Sequence, residues 1–250
     1  ASGDPACPGQ VEFRNVSFRY PDAEEYVLKD ISFTAKRGET VAIIGSTGCG
    51  KSTVVNLIPR FYDATEGQVL VDGVDVREYD QRSLRNKIGY VSQKATLFTG
   101  TIASNVAYGD NGEAPPSPAE VQAAVATAQA EDFVTHMEGG YEGYVAQGGA
   151  NLSGGQKQRL SIARAIARKP EILLFDDAFS ALDYKTDRVL RSALDQTCQN
   201  TTRIIVAQRI GTIRDADQII VLDDGQIAGI GKHQDLMQTC GVYQQIALSQ

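Results

Sequence analysis

The sequence predicts an α/β fold in which a parallel sheet is joined by a smaller antiparallel lobe and a helical insertion. Short, nearly continuous apolar runs occur at residues 41–44, 172–175, 203–207 and 218–222. Parallel strands that are covered by helices on both faces have this composition. A glycine-rich segment at 45–53 follows the first run, and a helical pattern follows that segment. Strands that alternate with helices in this way favour an α/β architecture.

The elements before the insertion predict the antiparallel lobe. Residues 1–10 are rich in Pro, Gly and Ala and do not begin with Met, so we expect a linker or the cut end of a preceding domain. The folded domain is expected to span 11–250. Alternating apolar and polar residues between 11 and 37, and a run at 68–73 that ends in an Asp-Gly turn, predict antiparallel strands. A further strand is expected at 87–92.

From about residue 97 to 168 the pattern becomes helical, which predicts a helical subdomain. Ser117 is a good N-cap residue, with Pro118 at the first helical position and Glu120 three residues after the cap. A second helix is expected after Ser153, and Pro170 marks its end.

Composition limits the classes of function. The net charge of −7 and the pI near 4.9 argue against a broad basic surface, so we expect no nucleic-acid partner. No apolar run approaches the ~20 residues that span a bilayer, so any membrane role must be peripheral or must come from another segment. The cysteines have no metal-like spacing and are expected to be reduced thiols: Cys7, Cys49, Cys198 and Cys240.

The glycine-rich segment has the composition of a phosphate-binding loop. Its residues are Gly45, Ser46, Thr47, Gly48, Cys49, Gly50, Lys51, Ser52 and Thr53. Glycines let the backbone curl, and its N–H groups together with the following helix N-terminus form an anion site. Lys51 can pair with the outer phosphates, and the Ser52 hydroxyl can bind Mg²⁺. The same helix N-terminus is expected to lower the pKa of Cys49 and to leave it reactive.

Two later segments extend this site. Asp176 and Asp177 follow a buried strand, and α/β folds keep their ligands at the carboxyl ends of strands. Asp176 can hold Mg²⁺ opposite Ser52. A second anion-binding helix start is predicted at Ser153, Gly154, Gly155 and Gln156.

In their order along the chain, these segments resemble the ATP-binding cassette (ABC) family, specifically the nucleotide-binding domain of an ABC exporter. The resemblance covers nearly all of residues 11–250 and implies a P-loop NTPase (RecA-like) fold that binds ATP and Mg²⁺. It implies that 45–53 is the Walker A motif, that Tyr20 stacks on adenine and that Gln93 is the Q-loop glutamine. The implied Mg²⁺ ligands are Ser52, Gln93 and Asp176. Residues 97–102 match the stretch where coupling helices of a transmembrane domain dock.

The resemblance also implies partners. In the family, two nucleotide-binding domains associate head to tail, and each ATP lies between Walker A of one domain and the signature segment of the other. Here the signature segment is 153–156, so Ser153 serves the partner's nucleotide. The D-loop is 180–183, and its Asp183 is a further candidate for nucleotide binding. The implied partners are a second ABC domain and the chain's own transmembrane domain, and the implied location is the cytoplasmic face of a membrane.

Two positions depart from the family pattern. Asp177 stands where the family has a glutamate that polarises the attacking water, and a carboxylate withdrawn by about an ångström can cost roughly a hundredfold in rate. Gln208 stands where a switch histidine contacts the γ-phosphate, and glutamine cannot carry a proton or a positive charge as histidine can. With Lys51, these two residues are the candidate catalytic groups.

With an intact signature segment, these departures resemble the degenerate half of a heterodimeric exporter, whose own site is slow and whose signature serves a different partner. The alternative is a homodimeric exporter ATPase with Asp177 as the base. Two further readings are a soluble ABC protein that acts on DNA or ribosomes and a module that clamps ATP without hydrolysing it.

Overall fold

The structure is a computed structural model that describes residues 3–46 and 48–250. Its largest sheet has six strands in the order β12-β11-β3-β10-β9-β6. The strands from β11 to β6 are mutually parallel, and β12 pairs antiparallel with β11. These strands are β3 (Thr40–Gly45), β6 (Ile88–Ser92), β9 (Ile172–Asp176), β10 (Thr202–Val206), β11 (Gln218–Asp223) and β12 (Gln226–Gly231).

A second sheet is antiparallel, with the order β2-β1-β4-β5. Its strands are β1 (Val11–Phe18), β2 (Leu28–Ala35), β4 (Glu66–Val71) and β5 (Val74–Asp75). A two-stranded ladder joins β7 (Gly100–Thr101) to β8 (Tyr144–Val145). The helices are α1 (Lys51–Leu57), α2 (Gln81–Asn86), α3 (Ile102–Val106), α4 (Pro118–Thr127), α5 (Glu131–His136), α6 (Gly154–Ala167), α7 (Tyr184–Thr197), α8 (Ile210–Ile213), α9 (His233–Thr239) and α10 (Gly241–Leu248).

The large sheet separates two hydrophobic cores. Side chains alternate across a strand, so Val41 and Ile43 of β3 enter the core shared with the antiparallel sheet. Ala42 and Ile44 enter the other core, which contains the buried faces of α4 and α6. The continuous apolar composition of the parallel strands follows from this burial on both faces. The predicted α/β fold class is therefore confirmed.

The helical region lies between β6 and β9, with α3 to α6 and the β7–β8 ladder. Its α4 begins with the predicted capping box, in which the Glu120 N–H donates to Ser117 Oγ at 3.2 Å and the Ser117 N–H donates to Glu120 Oε1 at 3.0 Å. Its longest helix, α6, ends at Ala167, ahead of Pro170. Among the helices at 3–46 and 48–250, none is long and apolar enough to cross a membrane.

The described part of the first ten residues packs onto the domain. The Gly9 N–H donates to Asp72 Oδ1 at 2.7 Å, and the Asp4 N–H donates to the Asp72 carbonyl at 2.7 Å. The Gly9 carbonyl accepts from the Thr202 hydroxyl. These contacts attach the segment to the ends of β4 and β10. A membrane domain ahead of this segment stays a prediction.

Candidate functional site

The phosphate loop joins the end of β3 to the start of α1. Gly48 and Gly50 have φ of 79° and 97°, a backbone region that disfavours residues with a Cβ. At Gly45 a Cβ would lie 2.4 Å from the Leu222 carbonyl oxygen, so only glycine fits beside β11. Thr47 lies outside the described residues. The glycines of the segment thus permit the turn that the sequence predicted.

The ammonium group of Lys51 lies against this loop. Its Nζ donates to the Gly45 carbonyl at 2.7 Å and lies 3.4 Å from the Ser46 carbonyl. The cation is therefore held at the carboxyl end of β3, where phosphates would bind. Thr53, two residues along α1, is buried.

Ser52 and Asp176 meet although 124 positions separate them, because the ends of β3 and β9 lie at the same edge of the sheet. The Ser52 hydroxyl donates to Asp176 Oδ1 at 2.8 Å. The Tyr90 hydroxyl lies 3.3 Å from Asp176 Oδ2 and 2.8 Å from Asn56 Oδ1. Burial raises the pKa of Tyr90, and the neighbouring Asp176 carboxylate adds to the shift.

This pair fits a magnesium site. Hydroxyl and carboxylate oxygens are the ligands that Mg²⁺ prefers, and Mg²⁺ is commonly held by one or two protein oxygens together with phosphates and water. Gln93 follows β6, whose last residue pairs in register with Asp176, and its side chain is exposed. The described residues contain no cluster of three or more His, Cys, Asp or Glu that could hold a metal without a nucleotide. The Ser52 hydroxyl and the Asp176 carboxylate suit a cation whose remaining ligands are phosphates and water.

Asp177 is half-buried directly after β9, with φ of 55°. Its N–H donates to the Val206 carbonyl of β10 at 2.8 Å. Burial raises the pKa of its carboxyl and the Asp176 carboxylate adds to the shift, while Lys51 and Arg209 act in the opposite direction. A raised pKa is suited to a group that accepts a proton near neutral pH.

Gln208 has an exposed side chain and follows β10 by two residues. Its carbonyl accepts a hydrogen bond from the Gln250 side-chain amide, whose oxygen accepts from the Ile210 N–H at 2.8 Å. The parallel pairing of β9 with β10 places Asp177 and Gln208 after neighbouring strand ends. The two departures from the family pattern therefore occur at one edge of the sheet.

Arg209 and Asp187 form a charged cluster that sequence reasoning missed. Arg209 donates to the carbonyls of Phe179 at 2.7 Å and Leu182 at 3.1 Å, and to Asp187 Oδ2 at 2.9 Å. Asp187 is 1% exposed and also accepts from Arg191 at 2.6 Å and Thr212 at 2.7 Å. The cluster ties the D-loop to the segment that carries Gln208.

Asp183 acts as the N-cap of α7. Its Oδ1 accepts from the Thr186 N–H at 2.8 Å, and hydrogen bonds with Thr186 lower the pKa of its carboxyl. The Ser180 hydroxyl donates to the Asp177 carbonyl at 3.1 Å. The D-loop is therefore hydrogen-bonded to Asp177 at its first residue and to α7 at its last residue.

The signature segment forms the N-terminus of α6. The Gln156 N–H donates to Ser153 Oγ at 3.1 Å, and the Ser153 N–H donates to Gln156 Oε1 at 3.0 Å. A Cβ at Gly154 would meet no atom within 4 Å, whereas one at Gly155 would lie 3.5 Å from the Ala181 carbonyl of the D-loop. Within residues 3–46 and 48–250, no hydrogen bond joins this segment to the phosphate loop. The structure thus places it beside the D-loop.

Tyr20 lies two residues beyond β1, with 37% of its surface exposed. Its ring stands edge-on to Phe18, with centroids 4.9 Å apart, and edge-on to Tyr62, with centroids 5.2 Å apart. The ring thus packs against two nearly perpendicular rings, and its exposed part remains available for stacking.

The expectation for Cys49 was wrong. The residue is 3% exposed, and burial raises the pKa of its thiol, although Lys51 acts in the opposite direction. Its Sγ occupies the space beside Gly45, where a Cβ would approach it to 2.5 Å. The loss of hydration therefore raises the pKa of the thiol more than the helix N-terminus lowers it. The thiol fills space beside Gly45 and is not a reactive group. All four cysteines are free, as expected.

Comparisons with known proteins agree with this geometry. The sequence model of the family described as ABC transporter matches residues 28–180. An uncharacterized ABC transporter ATP-binding protein of Mycobacterium tuberculosis (strain ATCC 25618 / H37Rv) is 49% identical over 242 residues, which cover 97% of this chain and 41% of that protein. The ATP-dependent lipid A-core flippase of Pseudomonas aeruginosa (strain PAO1) is 44% identical over 235 residues, covering 94% and 39%.

Among solved structures, a bacterial Atm1-family ABC exporter with ATP bound superposes with a TM-score of 0.90 at 43% identity. The match covers 96% of this chain and 42% of that one. The chain thus spans about two fifths of the length of the relatives it matches. The chain belongs to the ABC transporter family and has the P-loop NTPase fold of its ATP-binding domain.

Proposed function

We propose that this chain is the ATP-binding domain of an ABC exporter, located at the cytoplasmic face of a membrane and coupled to a transmembrane domain. The contact of Ser52 with Asp176 below the glycine loop carries the proposal, because it joins a phosphate site to a magnesium site. The flippase and the Atm1-family exporter among its relatives support the transport of a substrate out of the cytoplasm.

In this function, the loop 45–53 binds the phosphates through its N–H groups, and Lys51 pairs with their outer oxygens. Tyr20 stacks on the adenine ring. Mg²⁺, held by Ser52, Asp176 and Gln93, would neutralise charge on the phosphates. Asp177 orients water and accepts its proton, and Gln208 donates a hydrogen bond to the γ-phosphate.

The signature segment and Asp183 act on a second ABC domain in a head-to-tail dimer. The capped start of α6 supports this role, because the N–H groups of Gly154 and Gly155 make no hydrogen bond to residues at 3–46 and 48–250 and the space at Gly154 is open, which suits an approaching phosphate. Closure of such a dimer on ATP would move the attached membrane helices.

We further propose that the chain's own site hydrolyses ATP slowly and that the second domain is a non-identical half-transporter. Asp177 is one methylene shorter than glutamate, and the hydrogen bond of its N–H to β10 fixes the backbone from which it must reach. Gln208 provides no positive charge. The alternative is a homodimeric ATPase with Asp177 as an adequate base, which the raised pKa of Asp177 favours.

The purified chain is expected to bind Mg-ATP and to release phosphate slowly. The double variant Asp177→Glu/Gln208→His should raise turnover about tenfold to a hundredfold, because it restores the reach of the base and the charge of the switch residue. A phosphate-release assay at saturating Mg-ATP, beside equilibrium dialysis of labelled ATP, measures both properties. Glutamate tolerates the left-handed backbone at position 177 less well than aspartate, so a small loss of stability is also expected.

Rapid hydrolysis by the unmodified chain alone would contradict the slow site and support the homodimeric alternative. Failure to bind Mg-ATP would contradict the ATP-binding function itself. Copurification of the full-length protein with a second, non-identical ABC half would support the heterodimer.

Two matched serines test the role of the signature segment. Ser153→Ala and Ser117→Ala each remove the N-cap of a capping box, so each should lower the free energy of unfolding by about 1 kcal/mol. Only Ser153→Ala is expected to weaken the ATP-dependent association with a second ABC domain, measured by analytical ultracentrifugation with and without Mg-ATP. Equal effects of the two variants on association would show that Ser153 is only a helix cap.

A further inference from the structure

The loop that follows α1, residues 58–65, supports Tyr20. Tyr62 is 42% exposed, and its ring is nearly perpendicular to the Tyr20 ring, with centroids 5.2 Å apart and an interplanar angle of 87°. Tyr62 also packs on Phe18 at 5.6 Å, and Phe18 is buried. Three aromatic rings thus form one cluster, in which Phe18 is the buried base and Tyr20 and Tyr62 are the exposed members.

The same loop holds the backbone beside Tyr20. The Arg19 N–H donates to Thr65 Oγ1 at 3.0 Å, and this hydroxyl lies 3.4 Å from the Arg19 carbonyl. The Thr65 N–H donates to the Ser17 carbonyl at 2.9 Å. The loop therefore restrains Tyr20 twice, at its ring through Tyr62 and at its backbone through Thr65.

This loop is also continuous with the phosphate site. The helix α1 begins at Lys51 and Ser52, next to the phosphate loop, and the chain then leads directly into residues 58–65. One short stretch of chain consequently bears the groups for the phosphates at one end and the support for the aromatic ring at the other. A displacement of α1 would therefore move both the phosphate-binding groups and the residues that support Tyr20.

We infer that Tyr62 is a positioning residue for nucleotide-base recognition, which holds the Tyr20 ring in the orientation that stacks on a purine. The inference rests on the proposed function of Tyr20. An exposed ring without a neighbour would be free to rotate, and fixing it on binding would cost conformational entropy. The edge-on contact with Tyr62 fixes the ring before the nucleotide arrives. Tyr62 acts through its ring, since its hydroxyl makes no hydrogen bond to the residues at 3–46 and 48–250.

The test compares Mg-ATP with Mg-tripolyphosphate, which has the phosphates but no base. Tyr62→Leu is expected to raise the Kd for Mg-ATP about two- to tenfold, the equivalent of one lost aromatic contact, and to leave the Kd for tripolyphosphate unchanged. Tyr62→Phe keeps the ring and should bind both ligands as the unmodified chain does. Isothermal titration calorimetry gives the constants, and thermal unfolding without ligand checks each variant's fold. Tyr144→Leu, at another exposed tyrosine, is the control.

Two further variants separate the possible failures. Tyr20→Leu should raise the Kd for Mg-ATP by about fivefold or more, which is the contribution of a base stacked on an aromatic ring. In the double variant Tyr20→Leu/Tyr62→Leu, no further loss is expected if Tyr62 acts through Tyr20. If Tyr20→Leu has no effect, base stacking by Tyr20 is wrong. Suppose that Tyr20→Leu weakens the binding of Mg-ATP. If Tyr62→Leu then has no effect on that binding, or weakens the binding of Mg-ATP and of Mg-tripolyphosphate equally, the positioning role is overturned while the proposed function stands.

Discussion

Replacing Asp187 with alanine is expected to lower the free energy of unfolding by about 3–5 kcal/mol, the usual cost of removing one partner from a buried ion pair. The carboxylate is 1% exposed and accepts hydrogen bonds from Arg191, Arg209 and Thr212. Its loss leaves the half-buried guanidinium groups of Arg191 and Arg209 without their counter-ion. Urea unfolding followed by far-UV circular dichroism measures the change.

Asp195, on the same helix, is the matched control. Its carboxylate also pairs with an arginine, Arg203, but its side chain is 64% exposed. Arg203 is buried, but without Asp195 its guanidinium still donates to Thr40 Oγ1 and to two backbone carbonyls. Because Asp195 itself is exposed and Arg203 keeps these partners, Asp195→Ala should cost much less than Asp187→Ala. If the two variants lose similar stability, the Asp187 cluster does not behave as a buried ion pair.

The Asp187 variant also tests a link to function. Arg209 donates to the carbonyl of Leu182 in the D-loop and to that of Phe179 just before it, and Asp187 in turn binds Arg209. Without Asp187, Arg209 loses the carboxylate that orients it toward these carbonyls, so the attachment of the D-loop to the segment that carries Gln208 is weakened. We therefore expect Asp187→Ala to weaken ATP-dependent association more than a variant of equal stability that lies outside this cluster.

The sequence predicted those parts of the fold that local patterns encode. The parallel strands are nearly continuous apolar runs, and α4 and α6 begin at capping boxes with serine at the N-cap. The β7–β8 ladder was not predicted, because it joins Gly100 to Val145 through two-residue strands that have no period. The antiparallel strand β12 and the helices α9 and α10 were not predicted either, since 226–231 alternates between exposed and half-buried residues and lacks the apolar run of its neighbours.

The candidate site likewise contains residues that local sequence patterns predict and residues that they do not. The contact of Ser52 with Asp176 was predictable, because each residue belongs to a segment with its own local pattern. The Asp187–Arg209 pair joins α7 to the segment after β10, and neither residue has a distinctive neighbourhood in the sequence. Cys49 was predicted wrongly because its burial depends on β11, which packs behind the loop and is distant in sequence. Tyr62 was missed because its partner, Tyr20, is distant in sequence and meets it only through the pairing of β1 with β4.

Replacing Lys51 with alanine is expected to weaken Mg-ATP binding by a hundredfold or more, on the order of 3 kcal/mol, because a hydrogen bond to a charged group contributes about 1.5–3 kcal/mol and Lys51 would make more than one. Its ammonium group already lies at the phosphate loop, 2.7 Å from the Gly45 carbonyl, so little rearrangement precedes binding. The preorganised cation is what distinguishes this loop from an ordinary glycine-rich turn.

Lys36→Ala is the control for this variant, because Lys36 is an exposed lysine directly after β2 and makes no hydrogen bond or ion pair with the phosphate loop residues that the structure describes. Calorimetric titration with Mg-ATP should give an unchanged Kd for Lys36→Ala and a large loss for Lys51→Ala. The loss should be equally large with Mg-tripolyphosphate, since Lys51 acts on phosphates alone. Binding of ATP by Lys51→Ala within fivefold of the unmodified chain would mean that the phosphates are held elsewhere, and the site built on Ser52 and Asp176 would then lack its central charge.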